Sequence, residues 1–297
     1  MKKVLLILCT LSLAGLVTVT AQSTDPITAA VDNYFSDWSA GSRIIPQDQA
    51  VGKVAAGEAM TLIDIRQPDA YAAGHLKGAI NLPWGTSAMS DNLKYIPQEG
   101  QVYVYCYTGQ TAGQMTALLN LVGVPARSIK LGWNLGISKV EGVEDVTVTS
   151  ASAIDKSKTY TLDRTMKRAF DAYFADMAGK AGTDYANNII SEANAKKLID
   201  AKDRNIQVVS IRQADAYAGG HIEGAINIPW GKDMHEMFSM LNARKKILVY
   251  CYTGQTAGQT VAALRMLGYD AASIRGGMGT SANVPQGWSN QGYPVVK

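Results

Sequence analysis

An eleven-residue string, VYCYTGQTAGQ, occurs twice without change, at residues 104–114 and 249–259. A longer string repeats ahead of it. Residues 65–85 read IRQPDAYAAGHLKGAINLPWG and residues 211–231 read IRQADAYAGGHIEGAINIPWG, identical at sixteen of 21 positions. Two strings repeated in the same order mean a duplicated domain, so whatever this chain folds into, it must be built twice. The 297 residues suit two units of about 100–150 residues each. Weaker matches extend the repeat upstream: Val31–Phe35 resembles Phe170–Phe174, and Ile44-Ile45 resembles Ile189-Ile190.

Each unit reads as short strands alternating with helices. The spacing predicts an amphipathic helix first, near 27–38 and 162–178, and a second near 47–56 and 192–201. Strands are expected at 61–65 and 207–211, and short helices at 68–73 and 214–219. Further strands follow at 79–82 and 225–228, then at 102–105 and 247–250, the last two leading into the repeated cysteine string. Helices over 111–122 and 256–267 end at Gly123 and Gly268, as helices do at glycine. Final strands are placed at 128–130 and 273–275. This alternation argues for an α/β fold with a parallel sheet in each unit.

The ends and joints of the chain are legible too. Lys2 and Lys3, the apolar run Val4–Val17 and the small residues Val19-Thr20-Ala21 read as an export signal over residues 1–21. The run is shorter than the roughly 20 residues needed to span a bilayer. Periplasmic location is the expectation, with Cys9 discarded alongside the signal. The remaining units are expected at 22–148 and 161–297, joined by a polar, Ser/Thr-rich linker at 149–160. The full chain has a net charge of +3, and loss of residues 1–21 leaves +1. That balance makes no case for nucleic acid or an anionic membrane as a partner.

Two cysteines then remain, Cys106 and Cys251, at the same place in the repeat. With three histidines and no CxxC, CxxCH or HExxH string, the chain offers no metal or haem site, and no cofactor is expected. A cysteine between a buried strand and a helix start sits at the carboxyl edge of a parallel sheet, where ligands bind. Small residues such as Thr108 and Gly109 let the loop curl until several N–H groups face one centre, and the helix adds its positive end. That environment favours the thiolate, and would equally hold a persulfide anion. The blander alternative is an inert buried thiol on a strand end. A Cys106–Cys251 disulfide is the redox alternative, although equivalent loops on two domains need not face each other.

The ordered set IDIRxxxxYxxGHLxGAINLP, a cysteine loop CYTGQTA, and a closing Arg275-Gly276-Gly277-Met278 with Trp288 and Gly292-Tyr293-Pro294-Val295 resembles the rhodanese domain, twice over. The resemblance implies two tandem domains, each a five-stranded parallel sheet flanked by helices. It implies transfer of a sulfane sulfur through a cysteine persulfide on Cys106 and Cys251. Their substrate-binding loops would be Tyr107, Thr108, Gly109, Gln110 and Thr111, and Tyr252, Thr253, Gly254, Gln255 and Thr256. Arg66 and Arg212 would support the fold around them. The partners implied are a small sulfur-containing donor, a thiol or cyanide-like acceptor, and a periplasmic redox protein as a candidate. A non-catalytic sulfur or chalcogen carrier, docking on a membrane redox system, is the reading from a different class.

The loop departs from the family pattern because it carries no Arg or Lys, which disfavours thiosulfate, a dianion, against polysulfide, a protein persulfide or a selenium analogue. The Cys-x5-Arg arrangement of phosphatases fails as well, since Ala112 and Ala257 stand where the arginine would be. Asp64 is replaced by Ser210 in the second copy, so support around the loops differs. His75 and His221 read as structural hydrogen-bonders, and Trp84 and Trp230 as pocket walls or core. Tyr107 and Tyr252 read either as covers or linings of the pocket mouths or as plain surface aromatics. Met234-His235-Glu236-Met237 with Met240 is suggestive of copper, but it has no counterpart in copy one and reads better as a helix with buried Met.

Overall fold

The structure, a computed structural model, describes residues 25–297. The expected export signal over 1–21 lies outside the described residues. The first half runs α1 (Pro26–Ser36), β1 (Ile44–Ile45), α2 (Gln47–Ala55), β2 (Thr61–Asp64), α3 (Pro68–Ala73), β3 (His75–Leu76) and β4 (Ile80–Asn81). It continues through α4 (Ala88–Asn92), β5 (Val102–Tyr105), α5 (Gln110–Leu121), β6 (Ala126–Ile129) and β7 (Thr147–Val148). The second half runs α6 (Arg164–Ala178), β8 (Ile189–Ile190), α7 (Glu192–Asp200), β9 (Ile206–Ser210), α8 (Ala214–Gly219) and β10 (Ile226–Asn227). It ends with β11 (Lys246–Tyr250), α9 (Gln255–Met266) and β12 (Ala271–Ile274).

Each half forms a five-stranded parallel sheet. The orders, β1-β6-β5-β2-β4 and β8-β12-β11-β9-β10, are the same. The cysteine-bearing strands β5 and β11 sit centrally, buried on both faces, which is why they read as unbroken apolar runs. The Ile-Ile pairs noted only as weak repeat matches are the edge strands β1 and β8. They are too short to show a strand period and are held by pairing to β6 and β12.

Strand alternation divides each sheet into two faces. Leu62, Tyr103 and Tyr105 join an outer core private to the first half, and Val208, Leu248 and Tyr250 do the same in the second. The opposite faces share one core: Ile63, Val104 and Met115 pack in the same cluster as Val209, Val249 and Val261. Cys106 and Cys251 both belong to this shared layer.

The halves are interlocked through that layer. α5 and α9 cross at Gly113 and Gly258. A Cβ on Gly113 would stand 2.1 Å from the Gln255 carbonyl oxygen, and one on Gly258 2.3 Å from that of Gln110. The leading helices span the seam, touching both halves. Phe35 at the end of α1 packs on Trp230 and Phe238 of the second half, with ring centroids 5.8 and 5.6 Å apart. Phe174 of α6 packs on Trp84 of the first half at 5.4 Å. The tyrosines beside them reach across as well: Tyr34 donates to Gln259 and Tyr173 to Gln114.

The expected linker at 149–160 follows β7, which pairs antiparallel with β3, and is itself tied to the first half: Ser152 bridges to Ile80, and the Tyr160 N–H donates to the Lys94 carbonyl. The second half has the same device at its end, where Val296 bridges to His221. A polar Ser/Thr stretch is legible as loop, but its attachment to the first half through Ser152 and Tyr160 is a tertiary choice that composition does not show.

Candidate active site

The two cysteine loops are built alike. Each begins where a central strand ends and turns at a glycine with a left-handed backbone, Gly109 (φ 93°) or Gly254 (φ 92°), which caps the following helix. A side chain at that φ would be strained. The turn brings backbone N–H groups onto sulfur. Gly109 N–H donates to Cys106 Sγ at 3.1 Å and Ala112 N–H at 3.4 Å; Gly254 N–H donates to Cys251 Sγ at 3.1 Å. Sulfur therefore lies at the amino end of α5 or α9, among donors that stabilise negative charge on it. Both thiols are free, and the residues are only 2% and 3% exposed.

The floor of each loop comes from the segment after the last strand. Trp133 and Asn134 N–H groups donate to the Cys106 and Tyr107 carbonyls, both at 2.8 Å. Met278 and Gly279 do the same for Cys251 and Tyr252, at 2.8 and 2.9 Å. Gly132 and Gly277 lie directly under the loops. A Cβ on either would stand 2.5 Å from the cysteine carbonyl oxygen. In the first half Trp133 and the segment to Ile137 stand where the second copy has its Gly-Gly ending, and the sequence alone assigns them no function. Lining up Gly132-Trp133-Asn134 with Gly277-Met278-Gly279 is the signal that finds this floor. It also places Leu131 (φ 61°) in the left-handed position that Gly276 (φ 66°) occupies in the second copy.

The supporting arginines differ between the copies. Arg66 is buried, forked onto Asp64 with contacts of 2.6–3.1 Å, bonded to the Gly74 carbonyl, and stacked 4.2 Å from the Trp133 ring. It ties the end of β2 to the end of α3. Arg212 is also buried and bonded to the Gly220 carbonyl, but Ser210 gives it no carboxylate. Its Nε finds no partner among the described residues, and its guanidinium sits 5.9 Å from the Tyr252 ring. Burial, with Asp64 nearby, holds the Tyr105 hydroxyl well above its ordinary pKa, so it stays protonated beside this cluster.

The loop side chains separate into two groups. Tyr107 and Tyr252 are 36% and 43% exposed, and the threonines at 108, 111, 253 and 256 are partly exposed. These face solvent around the sulfur. The Tyr107 hydroxyl also accepts from the Gln67 N–H at 3.2 Å. Gln110 and Gln255 are buried and turn away from their own loops into the opposite half. The histidines lie elsewhere: His75 stacks on Tyr71 and lies between the Tyr71 and Ser150 carbonyls, and His221 stacks on Tyr217. Trp84 is buried and Trp230 partly buried, packed on Phe174 and Phe35 of the leading helices. In the Met234–Met240 segment, a 3-10 helix, Met234 is buried but Met240 is 47% exposed, and the His235 ring lies against Phe35.

Comparison with known proteins gives matches to both halves. The Rhodanese-like domain family matches residues 47–138 and 191–280. Thiosulfate sulfurtransferase GlpE of Pseudomonas putida is 32% identical over 75 residues, which is 25% of this chain and 66% of that protein, just under two thirds of its length. Among solved structures, a rhodanese-related protein from Thermoplasma volcanium is 28% identical, covering 36% of this chain and 95% of that one, with a TM-score of 0.31. A 3-mercaptopyruvate sulfotransferase from Escherichia coli is 17% identical, covering 79% of this chain and 98% of that one, with a TM-score of 0.35.

Proposed function

The chain belongs to the rhodanese-like domain family and carries that domain twice, and from this premise we propose that it is a sulfurtransferase working through persulfides on Cys106 and Cys251. The observation that carries the reading is the backbone donors aimed at sulfur, two on Cys106, from Gly109 and Ala112, and one on Cys251, from Gly254. A cysteine thiolate attacks the sulfane sulfur of a donor, a new S–S bond forms, and the donor's own S–S bond breaks, its electron pair leaving with a shortened polysulfide anion or, from a protein persulfide, a thiolate. An acceptor thiolate then attacks the outer sulfur, and the cysteine sulfur leaves as thiolate. Negative charge stays on sulfur throughout, next to N–H groups that need no rearrangement to hold it.

Polysulfide or a protein persulfide suits the site better than thiosulfate. The loop side chains carry no charge, and the Arg66 guanidinium beside the first loop is already neutralised by Asp64. The near-complete burial of both cysteines also favours a slim sulfur chain over a tetrahedral oxyanion. Residues 1–21 support export to the periplasm, where a redox protein would supply or collect sulfur.

The test is to treat the protein and its Cys106→Ser and Cys251→Ser variants with polysulfide and weigh the tryptic peptides. One added sulfur atom on each remaining cysteine, removable by cyanide, is expected. No adduct on either cysteine refutes the proposal. Burial of the cysteines also favours a second reading, a carrier that holds sulfur without turnover. Stoichiometric loading with no steady-state transfer to cyanide or a dithiol would select it.

A further inference from the structure

We propose that Gln110 and Gln255 are positioning residues acting in trans: each opens the helix behind one cysteine and fixes the loop of the other. Gln255 begins α9, just after Cys251, yet its amide is spent on the first half. Its Nε2 donates to Ser128 Oγ at 2.8 Å and to the Ile129 carbonyl at 3.2 Å, and its Oε1 accepts from the Leu131 N–H at 3.0 Å. Leu131 leads directly into the floor segment whose Trp133 N–H holds the Cys106 carbonyl at 2.8 Å. The same amide lies against Gly109, where an added Cβ would be 2.8 Å from Gln255 Oε1. Gly109 is the residue whose N–H reaches Cys106 Sγ. The amide from the second half therefore touches both the floor and the turn of the first half's loop.

The reciprocal arrangement is complete. Gln110 Nε2 donates to Ser273 Oγ at 2.7 Å and to the Ile274 carbonyl at 3.2 Å, and its Oε1 accepts from Gly276 N–H at 3.2 Å. Gly276 leads to Met278, whose N–H holds the Cys251 carbonyl at 2.8 Å. A Cβ on Gly254 would stand 2.8 Å from the Gln110 amide. Both glutamines are almost wholly buried. The pattern asks for two donors and an acceptor in one plane, which a primary amide supplies and a carboxylate does not. Each half on its own has a loop with one wall missing.

This inference rests on the persulfide reading, and its test separates the two. In the full chain carrying Cys251→Ser, so that only Cys106 reports, Gln255→Met and Gln255→Ala are each compared with the same changes at Gln110. Sulfur uptake from polysulfide and alkylation by iodoacetamide are timed. Changing Gln255 is expected to change both rates at Cys106 by roughly 10- to 100-fold, the penalty of about an ångström of misplacement. Changing Gln110 is expected to leave them within about twofold. In Cys106→Ser the roles reverse. The Met variants keep side-chain volume, so they decide if the Ala variants do not fold. A purely structural role loosens both loops, and equal effects of the two glutamines on one cysteine overturn the proposal, as does a larger effect from the glutamine on the cysteine's own loop. If no cysteine takes up sulfur, the sulfurtransferase reading fails while the alkylation rates still decide this one.

Discussion

Replacing Gly113 by alanine sets two magnitudes against each other. Helix propensity alone predicts stabilisation, because alanine in a helix interior is better than glycine by about 1 kcal/mol. The packing predicts the reverse. The new Cβ would lie 2.1 Å from the Gln255 carbonyl oxygen, with further contacts at 3.1 and 3.5 Å on the same helix. A carbon and a carbonyl oxygen come no closer than about 3.3 Å, so α5 and α9 must part by about 1 Å. Overpacking of that kind costs about 1–3 kcal/mol. The shift also stretches the buried hydrogen bonds of Gln255 to Ser128, Ile129 and Leu131, each worth about 1 kcal/mol. The net expectation is a loss of about 2–4 kcal/mol, read as a lower urea midpoint with an unchanged slope. Gly52→Ala in α2 is the control. Nothing lies within 4 Å of its added Cβ, so propensity acts alone and the variant should gain about 0.5–1 kcal/mol. A Gly113→Ala protein as stable as the parent would refute the crossing.

Other expectations follow from the charges. Asp64→Ser leaves Arg66 buried without its carboxylate and should cost about 3 kcal/mol in urea unfolding, while Ser210→Asp gives Arg212 the partner it lacks and should stabilise by about 1.5–3 kcal/mol. No gain from Ser210→Asp would mean that Arg212 is already satisfied. Burial raises the pKa of the Tyr34 and Tyr173 hydroxyls, Arg43 opposing at Tyr34, and Asn188 and Arg265 at Tyr173. A group whose folded pKa is raised stabilises fully below its unfolded value, so stability should fall as pH rises above about 10, and Tyr34→Phe with Tyr173→Phe should flatten that limb. Asp270 is the opposite case. Burial pushes its carboxyl up, but hydrogen bonds from Lys246 and Arg265 prevail and hold it below its ordinary pKa. Its contribution is present above about pH 4 and lost on acidification, so Asp270→Asn should lower stability at pH 7 and make the acid limb shallower.

Much of this was legible in the sequence because periodicity and buried apolar runs report local structure. The strand ends carrying Cys106 and Cys251, and the helices behind them, fall within a residue or two of expectation. The edge strands β1 and β8 were visible only as repeated Ile-Ile pairs, since two residues cannot display a period. The identity of the two loops runs on past the sulfur to Gly113 and Gln114, and to Gly258 and Gln259. Sulfur contacts account for Gly109 and Ala112 in one copy and Gly254 in the other. The rest, Gln110 and Gln255 included, meets like surroundings in both copies, since α5 and α9 cross at Gly113 and Gly258 and each glutamine reaches into the opposite half. Gln110 and Gln255 read from the sequence as substrate-loop residues because membership of a loop is legible there, whereas the half a side chain serves is not.

The helices that span the seam bear on how the chain is made. α1 is synthesised early, but its Tyr34 hydrogen-bonds to Gln259, 225 residues later. At ribosomal rates of about 5–20 residues per second, that partner emerges roughly 10–45 s afterwards. Through that interval α1 has α5 and Arg43 of its own half to pack on, but Phe35 lacks Trp230 and Phe238, and Trp84 lacks Phe174. Each sheet has one core layer of its own, whereas the layer that holds both cysteines is complete only when both halves are present.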